Sequence, residues 1–145
     1  MNTVIVSCSA CGKKNRIQAD KQHLSPKCGQ CKAPLGMINQ AVPVELGDHD
    51  FHDFVKQASL PVMVDFFSPT CGPCQTMLPI VDAMAREHVN RFIIAKVDTS
   101  KNPDIALFFN IRGVPTFFFF RNGRLIDQIS GAVSRNILEQ KLRSL

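Results

Sequence analysis

A chain of 145 residues with 45% apolar composition suits one ordinary domain plus a small appendage, and that is ample for a buried core, so a disordered chain is excluded. The net charge of +5 is unevenly placed: residues 1–36 carry Lys13, Lys14, Arg16, Lys21, Lys27 and Lys32 against Asp20 alone, while residues 37–145 carry eleven charges of each sign. Residues 1–14 lack the basic start and apolar stretch of an export signal, and the longest apolar run, residues 114–120, is strand-sized and far short of the roughly 20 residues of a membrane span. The expectation is a soluble cytoplasmic protein with no membrane partner, in a compartment where cysteines stay reduced for metal binding and catalysis.

Residues 1–36 have few large apolar side chains and cannot build a core unaided. They hold Cys8-x-x-Cys11 and, after sixteen residues, Cys28-x-x-Cys31, the spacing of a zinc ribbon. A tetrahedral site with these four thiolates as ligands to one structural zinc ion would supply the missing stabilisation. Two structural disulfides are the alternative, and His23, between the knuckles, is a possible substitute ligand. Zinc and four thiolates together would reduce the local excess of positive charge to about +3.

The main domain is expected over residues 37–145. Ala41-Val42-Pro43-Val44 reads as its first strand, with the proline suiting an edge. Asp48 is placed to cap a helix whose Phe51, Phe54, Val55 and Ala58 form one apolar stripe, leaving His49, His52, Asp53 and Lys56 outside; Pro61 ends it. The run Val62-Met63-Val64-Asp65-Phe66-Phe67 has the composition of a strand covered on both faces.

Cys71-Gly72-Pro73-Cys74 follows, at the start of a helix that turns Met77, Val81, Met84 and Ala85 inward and that Pro79 should kink. Two thiols three residues apart at a helix start lie on one face, close enough to bond to each other. The first sits where unpaired backbone N–H groups favour an anion, which makes Cys71 the expected thiolate nucleophile of reversible dithiol–disulfide chemistry. Zinc sites use the same spacing, but a strand before the pair and an amphipathic helix after it favour the redox reading.

Residues 92–97 read as another buried strand, and Asn102-Pro103-Asp104 starts a short helix over residues 105–110. Residues 116–120 and Arg124–Ser130 flank Asn122-Gly123, a strong hairpin signal. Ser134 caps a terminal helix with Ile137, Leu138 and Leu142. The order β-α-β-α-β-α-β-β-α gives an α/β fold in which a parallel portion and a late antiparallel hairpin share one mixed central sheet flanked by helices.

Val64-Asp65-Phe66, Cys71-Gly72-Pro73-Cys74, Arg112-Gly113-Val114-Pro115-Thr116 and Asn122-Gly123 resemble the thioredoxin family over roughly residues 38–145, and the double-CxxC extension resembles that of its zinc-containing thioredoxin 2 group. The resemblance implies a thioredoxin fold and a cytoplasmic protein-disulfide reductase without a bound organic cofactor. Its implied partners are disulfide-containing proteins and an NADPH-dependent thioredoxin reductase, and a monomer is expected. Cys71 would attack a substrate disulfide and Cys74, one turn further in and more buried, would resolve the mixed disulfide. Asp65, a carboxylate in an apolar strand, is the candidate base for Cys74, acting through a water with Lys96 nearby; a satisfied core carboxylate is its alternative. Gly72, Pro73, Val114, Pro115 and Gly131 would form the substrate-facing surface, with Pro115 cis and Val114 pairing through its backbone with an extended substrate segment.

Three residues depart from the family pattern beside the dithiol. Thr70 and Phe67 stand where tryptophans are usual, and Gln75 stands where a basic residue is common. These changes bear on substrate preference and thiolate tuning. Other readings remain open: an oxidase or isomerase on the same fold, a zinc-centred redox sensor, and nucleic-acid binding by the basic ribbon. The last lacks an aromatic stacking platform, so no nucleic-acid partner is expected.

Overall fold

The computed structural model describes residues 3–8, 10–18, 26–35, 43–88 and 91–145. His23, Asp20, the expected boundary at residues 36 and 37, and the strand residues Ala41 and Val42 lie outside the described residues.

The N-terminal unit is a hairpin of β1 (Thr3–Ser7) and β2 (Lys14–Gln18), followed by a second turn closed by a bridge between Lys27 and Pro34. Its core consists of Cys8, Ile17, Cys28 and Leu35, with Val6 and Ala33 against them.

The main sheet has five strands: β3 (Val44–Leu46), β4 (Val62–Phe67), β5 (Ile93–Asp98), β6 (Thr116–Arg121) and β7 (Arg124–Ser130), in spatial order β3-β5-β4-β6-β7. β3, β5 and β4 run parallel, while β6 and β7 add antiparallel. Among the described residues four helices complete it: α1 (Phe51–Gln57), α2 (Gly72–Glu87), α3 (Pro103–Phe108) and α4 (Arg135–Arg143). Among the described residues β3 covers Val44–Leu46, and it is the sheet edge that the neighbouring Pro43 suits.

Alternation along the central strands sorts two cores. Val62, Val64, Phe66, Phe118 and Phe120 pack with Phe51 and Val55 of α1 and Ile105 of α3. Met63, Ile94, Phe117 and Phe119 pack with Met77, Val81 and Met84 of α2 and Leu138 and Leu142 of α4. β4 is buried along its whole length between β5 and β6, which explains why its sequence is apolar almost throughout and why Asp65 stands out. Between β6 and β7, Asn122 and Gly123 have φ of 53° and 78°, the paired left-handed conformations of a type I′ turn.

Two expectations at helix ends change. Asp48 does not cap α1: Asp50 holds the N-cap position, accepting the Gly47 N–H through Oδ1 at 2.8 Å, and Asp48 instead reaches α3. Ser134 holds the N-cap position of α4 but makes no side-chain capping bond, and Ile137 is exposed while Leu138 and Leu142 are buried.

The small unit is docked on the edge of the large one. β1 runs beside β3, Ile5 packs against the α1/α3 core, and Lys14 Nζ donates to Asp50 Oδ2 at 2.7 Å. Among the described residues no helix is long and apolar enough to cross a membrane.

Candidate active site and metal centre

β4 ends at Phe67, and a short polar loop, Ser68-Pro69-Thr70, carries the chain to Cys71, the N-cap of α2. The loop is tied to the helix by Gln75, whose Nε2 donates to the Pro69 carbonyl at 3.0 Å. Gln75 thus holds the turn before the dithiol. Thr70 is exposed and Phe67 is buried.

Cys71 and Cys74 are joined as a disulfide, with Cα atoms 5.2 Å apart. Cys71 is half-buried and Cys74 has no exposure, so an incoming group meets Cys71 first. The Cys74 N–H donates to Cys71 Sγ at 3.1 Å. This donor and the N-terminus of a 16-residue helix would favour a thiolate at Cys71 once the disulfide is opened.

Opposite the dithiol, the Val114–Pro115 peptide is cis and the Val114 carbonyl oxygen lies 3.5 Å from Cys71 Sγ. Gly131, with φ of 92°, donates its N–H to the Pro115 carbonyl at 2.8 Å, which brings the end of β7 beside this loop. An open groove of about 520 Å³ runs along Arg112, Gly113, Val114, Pro115 and Gly131. Gly72 and Pro73, between the two cysteines, are exposed. Val114, Pro115 and Gly131, from two separate stretches of sequence, thereby line one groove, and the Val114 carbonyl ties it to Cys71.

Asp65 has no exposure, and neither carboxylate oxygen has a hydrogen-bond partner. Burial pushes its carboxyl up to about 7, opposed by the positive charge of Lys96, its register partner on β5. Lys96 is half-buried, with Nζ 5.7 Å from the centre of the Phe67 ring. A carboxyl near neutrality can both take and return a proton at physiological pH, which a normally ionised aspartate does poorly.

In the small unit the four sulfurs of Cys8, Cys11, Cys28 and Cys31 all lie within 4.8 Å of one another. Cys8 and Cys31 sulfurs are 3.6 Å apart, as are those of Cys11 and Cys28. A tetrahedral zinc with bonds of about 2.3 Å needs sulfurs about 3.8 Å apart, so the cluster fits that ion. All four are free thiols, the form in which they can serve as ligands.

The two knuckles repeat one geometry. Gly12 N–H bonds the Cys8 carbonyl and Lys32 N–H bonds the Cys28 carbonyl, and both residues are left-handed, with φ of 80° and 66°. The N–H of Cys31, followed by those of Gln30 and the amide of Asn15, holds the Cys28 thiol down to about 6 against the effect of burial. The N–H of Cys11, then that of Ala10, lowers Cys8 in the same way. Both first cysteines are thus biased toward the thiolate that a metal requires.

Asn15 is the site residue that sequence reasoning missed. Its Nδ2 lies 3.6 Å from Cys28 Sγ and its Oδ1 accepts the Gly29 N–H at 2.9 Å, linking the hairpin to the second knuckle. The available signal was an amide between two basic residues of a strand, four positions after Cys11.

A sequence profile of the family described as Thioredoxin matches residues 42–144, and one described as Thioredoxin 2, N-terminal, matches residues 7–33. The chain is 35% identical over 140 residues to Thioredoxin C-3 of Corynebacterium nephridii, a match covering 96% of this chain and 93% of the other. It is 40% identical over 98 residues to the thioredoxin of Porphyra purpurea, covering 68% and 92%. A solved structure of a mutant thioredoxin from Halobacterium salinarum is similar with a TM-score of 0.65 and 28% identity, over 71% of this chain and 89% of that one.

Proposed function

The chain belongs to the thioredoxin family and is a thiol–disulfide oxidoreductase, and from that premise we propose that it reduces disulfides in cytoplasmic proteins and is recycled by an NADPH-dependent thioredoxin reductase. The observation that carries this reading is the unequal burial of the dithiol: Cys71 is reachable at a helix N-terminus, and Cys74 is enclosed directly behind it.

The steps follow from that inequality. The Cys71 thiolate attacks one sulfur of a substrate disulfide, forming a mixed disulfide and releasing one substrate thiolate. Asp65 accepts the proton of Cys74 through a water, and the Cys74 thiolate attacks Cys71 Sγ. This forms the Cys71–Cys74 disulfide and expels the second substrate thiolate. Two electrons from NADPH, passed through the reductase, then return the pair to dithiol.

Lys96 moderates the charge of Asp65. Gly72, Pro73, Val114, Pro115 and Gly131 form the surface that receives an extended substrate segment, with the backbone of Val114 as its pairing edge. Recognition through backbone groups depends little on substrate side chains, which suits a general reductase. The polar Ser68-Pro69-Thr70 loop narrows the apolar part of that surface.

In the small unit Cys8, Cys11, Cys28 and Cys31 hold one zinc ion, whose contribution is to fold stability. The protein acts as a monomer. The test is NADPH consumption by the intact chain with thioredoxin reductase and insulin, beside Cys71→Ser. Turnover that vanishes in the variant is expected. No turnover in either would overturn recycling by this reductase.

A further inference from the structure

Three charged residues fall in one register across the main sheet. Asp65 of β4 pairs with Lys96 of β5, and Lys96 pairs with Glu45 of β3. Register partners share a face, so carboxylate, ammonium and carboxylate stand in a row from the middle of the sheet to its edge. Exposure rises along the row: Asp65 has none, Lys96 is half-buried and Glu45 is exposed. In the other direction the partner of Asp65 is Phe117 of β6, which is buried and apolar, so the charged row leads one way only.

At its outer end lies a cavity of about 400 Å³. Glu45, Lys96 and Asp82 line it from the main domain, and Ser7, Gly12 and Lys14 line it from the docked ribbon. Lys96 is common to the cavity and to the electrostatic surroundings of Asp65. An unpartnered buried carboxylate that changes protonation during each turnover must exchange its proton with solvent, and a cavity lined by Lys14, Glu45, Asp82 and Lys96 meets the requirement where an apolar core does not.

We propose that the ribbon forms the outer wall of the route by which Asp65 exchanges protons with solvent, so that ribbon docking governs the protonation of the base that serves Cys74. The proposal rests on the role given to Asp65 above. During resolution the Cys74 thiol gives its proton to the Asp65 carboxylate, and the resulting thiolate attacks Cys71 Sγ and expels the substrate thiolate. The Asp65 carboxyl then returns that proton to water along Lys96 and the cavity.

The charged and titratable groups around the route are Lys96 on β5, Glu45 on β3, Asp82 and Cys74 on α2, and Lys14 on the ribbon. Detaching the ribbon hydrates Lys96 and the outer end of the row. Burial is the largest influence on Asp65, larger than the opposing pull of Lys96, so added water lowers its titration midpoint.

The test is a carboxyl-carbon NMR titration of Asp65 in the oxidised full chain, beside an Ile5→Ser/Asp50→Asn double variant that removes the apolar contact and the ion pair of docking and leaves the cavity-lining Lys14 in place. Detachment is read from the amide shifts of β3. The expected result is a midpoint lower by at least half a unit, about threefold weaker proton binding, with zinc content unchanged. An unchanged midpoint in a detached ribbon overturns the proposal. A second variant, Ser7→Trp, fills the cavity in a chain whose ribbon stays seated: the midpoint is expected to rise, and no movement overturns the proposal equally. Because the titration is read without substrate, it stands apart from the catalytic role of Asp65. That role fails separately if Asp65→Asn leaves the pH profile of the resolving step unmoved.

Discussion

Asp48 Oδ1 accepts the backbone N–H of Ile105 at 2.8 Å, across 57 positions of sequence, and Oδ2 of the same side chain takes the N–H of Asp104 at 3.2 Å. Asp48 therefore supplies the capping acceptor of α3 from another part of the chain, while Asn102, at the N-cap position, uses its side chain to bind the Asp48 N–H and the Asp98 carbonyl. Asp48→Ala is expected to cost about 1–2 kcal/mol in urea unfolding, the scale of a lost helix cap. Asp48→Asn, which keeps an acceptor, is expected to lose less than half of that. Equal losses would mean that charge and not capping is what Asp48 provides.

The stability of the oxidised protein should fall as pH rises from about 4 to 7. Asp65 titrates near 3.8 when unfolded and at about 7 when folded, so between those values the folded state binds the additional proton. The penalty is absent below the unfolded value and complete above the folded one, reaching a few kcal/mol. Asp65→Asn should remove this slope and raise the melting temperature at pH 8 by several degrees, while slowing the resolving step. Calorimetry of both proteins across that pH range decides it, and parallel curves would contradict the buried-carboxyl account.

Asn15→Ala is expected to weaken zinc binding about tenfold, the lower end of what lost outer contacts to metal ligands cost. The side chain both donates toward Cys28 Sγ and fixes the Gly29 turn. Competition against a chromophoric chelator measures it. The reductase activity of the zinc-loaded variant should stay close to that of the parent chain.

Removing residues 1–36 should leave a folded and active main domain, because both large cores are built almost wholly from residues after 43. The loss of Ile5 packing and of the Lys14–Asp50 pair should lower stability by about 1–2 kcal/mol. Circular dichroism and insulin reduction test this together, and an unfolded or inactive product would show that the ribbon is required.

Much of the fold was legible because its signals were local. The apolar run of β4, the Asn122-Gly123 turn and the stripe of α2 each state their structure within a few residues, and the same holds for Cys71-Gly72-Pro73-Cys74 and the two ribbon knuckles. What escaped was decided at long range. Asp48 looked like the cap of the next helix because a single sequence shows nearby acceptors and not Ile105, and Asn15 reads as a strand amide until Cys28 is placed beside it. The row from Asp65 to Glu45 needs the strand order β3-β5-β4, in which Glu45 and Asp65 flank a residue that follows both in sequence.

The main sheet has two edges, β3 and β7, and they are guarded differently. At β7, Arg124, the Asp127–Lys141 pair and the register shift opposite Phe119 and Phe120 interrupt a strand that exposes Leu125 and Ile126. At β3 the neighbour is β1 of the ribbon. The ribbon thus covers with a strand of its own an edge that would otherwise offer unpaired backbone groups to another chain, a use of the small unit separate from the chemistry of its cysteines.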